Sequence, residues 1–92
     1  MYIFHWDEAK RRSNLLKHGF DFADAAQLFD GATFTREDTR FTYGERRFVT
    51  LGLLRTNVVV LVHTENGDSL RVISLRKATS HESKEFFAEI AN

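Results

Sequence analysis

At 92 residues the chain has room for one core and not two, and its 42% hydrophobic content, led by nine Phe, excludes a disordered polypeptide. Thirteen Lys and Arg balance thirteen Asp and Glu, so no global field draws it onto nucleic acid or anionic lipid, and any anion site must be local. With no cysteine there is no disulfide framework and no thiolate metal site. No apolar run approaches the ~20 residues of a membrane span, so the expected location is cytoplasmic with no membrane partner.

Tyr2–Trp6 reads as a short first strand. Asp7 then caps a helix over Glu8–His18 that ends at Gly19, with Lys17 and His18 in its last turn, where the helix dipole favours positive charge. Its apolar positions, Ala9, Leu15 and Leu16, are few, so most of this helix is solvated. Asp21 caps a second helix, about Phe22–Phe29, in which Phe22, Ala25, Ala26 and Phe29 recur at i, i+3, i+4 and i+7. The pair makes a helical hairpin about a glycine turn.

From Ala32 the pattern changes to strands: Ala32–Glu37, Arg46–Leu54, Val58–Thr64 and Ser69–Lys77. Short turns at Arg55-Thr56-Asn57 and Glu65-Asn66-Gly67-Asp68 predict an antiparallel meander, and Asp38–Glu45 is a polar loop containing Tyr43-Gly44. Thr79 and Glu82 form a capping-box pattern ahead of an amphipathic helix carrying Phe86, Phe87 and Ile90. The expected fold class is α+β, an antiparallel β-meander sheet packed by an N-terminal helical hairpin and a C-terminal helix, with 1–92 as one domain.

Leu70, Val72, Ile73 and Leu75 put apolar groups on both faces of the last strand, which therefore reads as interior. Arg71, Arg76 and Lys77 lie on or beside it with no acid between Ser69 and Lys77, so either acids elsewhere in the fold pair with them or they await an anion. His5, His18, His63 and His81 are scattered without metal-ligand spacing, no glycine-rich phosphate loop occurs, and there is no nucleophile-elbow motif. No metal and no cofactor is expected.

What remains is a set of cations, Arg47, Arg71, Arg76 and Lys77 with Lys17 and His18 at a helix end, suited to phosphodiester oxygens. RNA carries its own nucleophile in the 2′-hydroxyl, so a protein need only orient the phosphate, neutralise the transition state and move protons. Candidates for proton transfer are His63, His18, Tyr43 and Glu45. Each has a plainer reading: His63 as a satisfied strand-end histidine, Tyr43 as a packing ring, Glu45 as a partner of Arg46 or Arg47. A second function class uses the same cationic sheet face without catalysis, to hold an acidic protein partner or nucleic acid.

An ordered set of residues runs nearly the length of the chain: Phe4-x-Trp6-Asp7-Glu8-x-Lys10, Asn14, Lys17-His18-Gly19, Phe22, Ala25 and Phe29-Asp30. Asp38, Tyr43-Gly44-Glu45-x-Arg47, Leu51-Gly52, Val62-His63-Thr64, Arg71-Val72-Ile73-Ser74-x-Arg76-Lys77-Ala78 and Glu82 continue it. In these the chain resembles the BrnT family, toxins of bacterial type II toxin–antitoxin modules. It departs from the family pattern at Leu75, where a small residue is usual, and at Phe86 or Phe87, where a tyrosine often occurs.

The resemblance implies a RelE-like ribonuclease fold and metal-independent RNA cleavage. It also implies a BrnA-like antitoxin that blocks the toxin and itself binds operator DNA. Carried over by position, it singles out Arg71, Arg76 and Lys77 first, then Lys17, His18, Glu45 and Arg47; with the candidates above, the expected site has Arg71, Arg76, Lys77, Arg47, His63 and Glu45 in the chemistry and Lys17, His18 and Tyr43 on the substrate.

Overall fold

The computed structural model describes residues 2–40, 42 and 44–91. Strand β1 (Ile3–His5) leads into α1 (Glu8–His18), then a 3₁₀ turn (Phe22–Asp24) running directly into α2 (Ala25–Leu28). Strands β2 (Thr33–Asp38), β3 (Arg47–Leu54), β4 (Asn57–Asn66) and β5 (Ser69–Lys77) follow, and α3 (Ser80–Ile90) closes the chain. The sheet order is β1-β5-β4-β3-β2. Strands β2 to β5 form the expected antiparallel meander, and β1 adds a parallel edge beside β5, so β5 is interior.

The local signals in the sequence act as read. Asp7 accepts a hydrogen bond from the Lys10 N–H, and Gly19 ends α1 in the left-handed conformation at φ 79°. Thr79 and Glu82 make a full capping box at the start of α3. The hairpin turns are tighter than expected, Arg55–Thr56 and Gly67–Asp68, closed by the pairs Leu54 with Asn57 and Asn66 with Ser69.

The second helix differs from its expected form. Phe22, Ala25 and Leu28 are all at most 1% exposed, whereas Ala26 faces solvent and Phe29 is half-buried. The buried set therefore has a period of three, the spacing at which 3₁₀ side chains eclipse, and the segment begins as 3₁₀ with an Asp24 N–H to Asp21 carbonyl bond. Gly52 of β3 lies beneath it: a Cβ there would stand 2.8 Å from Leu28 Cδ2 and 3.3 Å from Thr33 Cγ2. The bare glycine lets α2 approach the sheet.

Each face of the sheet has its own core. Against the helical hairpin lie Phe22, Ala25, Leu28, Leu54, Val59 and Leu61 with Leu70, Val72 and Leu75 of β5. Against α3 lie Val49, Leu51, Val58, Val60 and Phe86. No helix among the described residues is long and apolar enough to cross a membrane.

Strand β1 pairs only with Ser69–Arg71, so the outer edge of β5 is without a strand partner beyond that point. Asn14 of α1, 7% exposed, fills the gap: its Oδ1 accepts the Leu75 N–H at 3.2 Å, and its Nδ2 donates to the Leu75 carbonyl at 2.8 Å and the Phe20 carbonyl at 2.9 Å. One amide completes the sheet edge and fixes the helical turn that follows. Asn14→Ala leaves these buried groups unpaired and is expected to cost about 2–4 kcal/mol, read as a lower urea midpoint at unchanged m-value.

Candidate functional site

A β-bulge decides which side chains share a face. Val62 pairs with Ser74 and His63 with Val72, so Ile73 is an extra residue in β5. Strict alternation would send Arg71 and Arg76 to opposite faces. With the bulge, Leu70, Val72 and Leu75 all turn to the helical-hairpin core, and Arg71 and Arg76 share the face that carries α3. Leu75, where the chain departs from the family pattern, is wholly buried in that core.

Registered rows then cross the α3 face. Asp38, Arg47, Thr64 and Arg71 stand opposite one another on β2, β3, β4 and β5, followed by Arg36, Val49, Val62 and Ser74, then Phe34, Leu51, Val60 and Arg76. Phe86 of α3 packs on the last of these rows and its neighbours. Beside it remains a groove of about 340 Å³ lined by Arg36, Asp38, Arg40, Val62, Arg76 and Glu82. Strand spacing sets Arg47 and Arg71 roughly 10 Å apart across Thr64, the reach of an extended phosphodiester segment.

The cations here already have partners. Arg76 makes a bidentate pair with Glu82 at 2.8 and 2.9 Å, Arg40 does the same with Asp38 at 2.9 and 3.0 Å, and Arg36 meets Glu85 of α3 at 2.6 Å. Arg71 donates to Glu45. The pairing expected for Glu45, with Arg46 or Arg47, is thus replaced: Arg46 instead holds Glu37 at 2.9 and 3.1 Å and lies over the Phe48 ring. Of the two fates open to the β5 arginines, pairing is the one observed. The Arg76 guanidinium, with the Thr79 N–H, holds the Glu82 carboxyl down at about 2, while Glu82 raises Arg76 against an opposing push from Arg40.

The remaining sequence-predicted residues are dispersed. Lys77 pairs with Val59 in the ladder and so turns to the face opposite Arg76, where it is exposed. Lys17 and His18 line a separate pocket between α1 and β5. Tyr43 lies outside the described residues. His63 is 1% exposed and faces the helical-hairpin side, stacked on Phe48 and edge-on to Phe29, with Nε2 2.7 Å from Thr50 Oγ1. Thr50 Oγ1 is in turn 2.7 Å from Thr35 Oγ1. Among the described residues no group of three or more His, Asp or Glu converges as metal ligands would.

Reading the sequence missed Arg36 and Arg40, and gave neither Asp38 nor Glu82 a part in the arginine site. The signal for them is the charge alternation of Arg36-Glu37-Asp38-Thr39-Arg40 at a strand end, together with a cap glutamate six residues after Arg76.

An α+β sheet with an arginine-lined face is what these observations define, and the family comparison makes the assignment specific. The family model described as "Ribonuclease toxin, BrnT, of type II toxin-antitoxin system" matches residues 6–82, most of the chain. The chain belongs to the BrnT family of ribonuclease toxins, and with that family come an RNA substrate and an antitoxin partner. No curated protein matches it.

Burial lowers the pKa of His63, and Glu65, whose Oε2 is 3.8 Å from Nδ1, opposes that only in part. The unfolded chain, with an ordinary histidine near 6.5, therefore binds the proton first. The His63 contribution is complete above about pH 6.5 and is lost as pH falls below it. Urea unfolding between about pH 7.5 and about pH 5.5 should show declining stability in the wild type and a flatter profile in His63→Gln.

Proposed function

We propose that the chain, as one toxin domain over 1–92, is an endoribonuclease that cleaves RNA without a metal ion or cofactor. The substrate's 2′-oxygen attacks the adjacent phosphorus, the bond from phosphorus to the 5′-oxygen breaks, and the leaving oxygen takes up a proton. The products are a 2′,3′-cyclic phosphate and a 5′-hydroxyl. The observation that carries this reading is the row of Arg47, Thr64 and Arg71 on an open sheet face with Arg76 beside it.

In this reading Arg47, Arg71 and Arg76 neutralise the charge that develops on the phosphoryl oxygens. A phosphate must displace carboxylates to reach Arg71 and Arg76. The Arg71–Glu45 pair yields most readily, since its side chains are 36% and 42% exposed and exposed pairs are worth only ~0–1 kcal/mol. Glu45, released from Arg71, is the carboxylate at hand to accept the 2′-hydroxyl proton. His63 supports the sheet from behind, Lys77 contributes charge from the far face, and Tyr43 in the loop contacts substrate. The partner is a BrnA-like antitoxin that covers the arginine face, with operator DNA reached only through that antitoxin, and the setting is the cytoplasm.

Purified, partner-free chain incubated with RNA in EDTA should leave 2′,3′-cyclic or 3′-phosphate ends, and 2′-O-methyl RNA of the same sequence should resist. A 3′-hydroxyl product, or activity abolished by EDTA and restored by Mg²⁺, sinks the mechanism. RNA that is bound and left uncut points instead to the binding-module reading.

Arg71→Ala should reduce cleavage about 10²-fold or more. Its stability should stay within about 1 kcal/mol of wild type, because the pair it breaks is exposed. Loss of activity that merely tracks the melting temperature returns Arg71 to a structural role.

A further inference from the structure

We propose that α1 and β5 form a phosphate subsite, built from Lys10, Ser13 and Lys17 of α1 against Ile73 and Ser74 of β5, that holds a backbone phosphate of RNA beyond the arginine groove. The inference rests on the ribonuclease reading and says where the strand goes when it leaves the groove.

The observation is a contrast in how cations are used. Arg36, Arg40, Arg71 and Arg76 each hold a carboxylate, and on α1 itself Arg11 is held by Glu8 and Asp21. Among the described residues Lys10 and Lys17 enter no such pair, and the hydroxyls of Ser13 and Ser74 make no side-chain hydrogen bond. These four residues, with Asn14, His18 and Ile73, line one pocket of about 200 Å³.

The pocket follows from the fold. Lys10, Ser13, Asn14 and Lys17 are spaced i, i+3, i+4 and i+7, one face of α1, and the Asn14 bonds to Leu75 press that face against β5. Opposite it, the bulged stretch of β5 closes the pocket with Ile73 and Ser74. Two lysines and a serine around a shallow opening recognise a tetrahedral oxyanion and carry no base-reading geometry. Strand β5 is the wall between this pocket and the groove, with Ser74 two residues from Arg76, so one extended single strand can touch both. The arginines, already neutralised, require exchange of partners before they bind; the lysines do not, and they supply the first electrostatic attraction.

The test measures binding of a 2′-O-methyl RNA oligonucleotide, which the proposed chemistry cannot cut, as a function of salt. Each phosphate contact on a single strand contributes about 0.7 to the slope of log K against log salt, so Lys10→Ala/Lys17→Ala, which empties the one-phosphate subsite, should lower its magnitude by about 0.7. Lys84→Ala on α3 is the control and should leave the slope unchanged. An unchanged slope in the double variant, or an equal loss in the control, overturns the subsite. An acidic peptide assayed in parallel must show no comparable dependence on Lys10 and Lys17; if it does, the pocket serves a protein partner and the proposal fails. Cleavage of ordinary RNA by the wild type is scored separately, so a chain that binds with the expected slope but does not cut keeps the subsite and loses the ribonuclease reading.

Discussion

Between Val62 and His63 the ladder joining β4 to β5 slips by one residue, and this slip governs both the core and the charged face. Side chains on a strand alternate, so three apolar residues at 70, 72 and 75 cannot enter one core, nor two arginines at 71 and 76 share the other face, unless one residue is taken out of the alternation. Ile73 is that residue. A bulge also frees backbone groups and bends its strand, and β5 can carry one because its outer edge, which β1 leaves after Arg71, is taken up four residues further on, at Leu75, by the Asn14 amide. Bulge and amide thus belong together: one assembles the site, and the other keeps the altered strand satisfied where no strand covers it.

Charge on the α3 face is arranged in pairs of unequal strength. The Arg40 side chain is 75% exposed against an Asp38 side chain at 4%, and the Arg71–Glu45 pair is open on both sides, whereas Arg76 and Glu82 are 35% and 17% exposed. Pairs with wet partners exchange for phosphate at little cost, and the more enclosed Arg76–Glu82 pair resists. On the proposed reading a polyanion would meet a graded face, Arg71 before Arg76, with the α1 lysines, which enter no ion pair among the described residues, to one side of it. Such a face also remains near neutral when empty, in keeping with the balanced composition of the chain.

The parts of this design legible in the sequence are those encoded within a few residues: the Asp7 and Thr79 caps, the Gly19 stop, the strand runs and the interior character of β5. The slip at Ile73 is not of that kind. Val72-Ile73-Ser74 reads equally well as uninterrupted strand, and only the competition between two cores chooses which residue is set aside. For the same reason Lys77 looked like a neighbour of Arg76 in function, when adjacent strand residues must face apart. Ion-pair choice is a tertiary property as well: Glu45 lies next to Arg46 in the chain but bonds Arg71 on a strand two places away. His63 looked like a base because histidine titrates near neutrality, and its burial between Phe29 and Phe48 depends on contacts with two other elements.

Glu82 joins the helix that covers the apolar part of the sheet to the charge of the groove, since one carboxylate both accepts the Thr79 N–H at 2.9 Å and binds Arg76. If an incoming phosphate takes Arg76, Glu82 keeps only its capping role. A cap contributes about 1 kcal/mol, and α3 is anchored besides by Phe86 in its core, by the Thr79 hydroxyl accepting the Glu82 N–H, and by Glu85 on Arg36. A buried phenylalanine alone accounts for ~3–5 kcal/mol when truncated, several times what the cap supplies. The helix therefore stays docked while the groove changes partner, and the exchange is one of side-chain rotation within a fixed frame. On the ribonuclease reading proposed above, arginines carried on strands beside a stationary helix would meet the phosphate already oriented, and positioning set before binding costs no reorganisation at the moment of reaction.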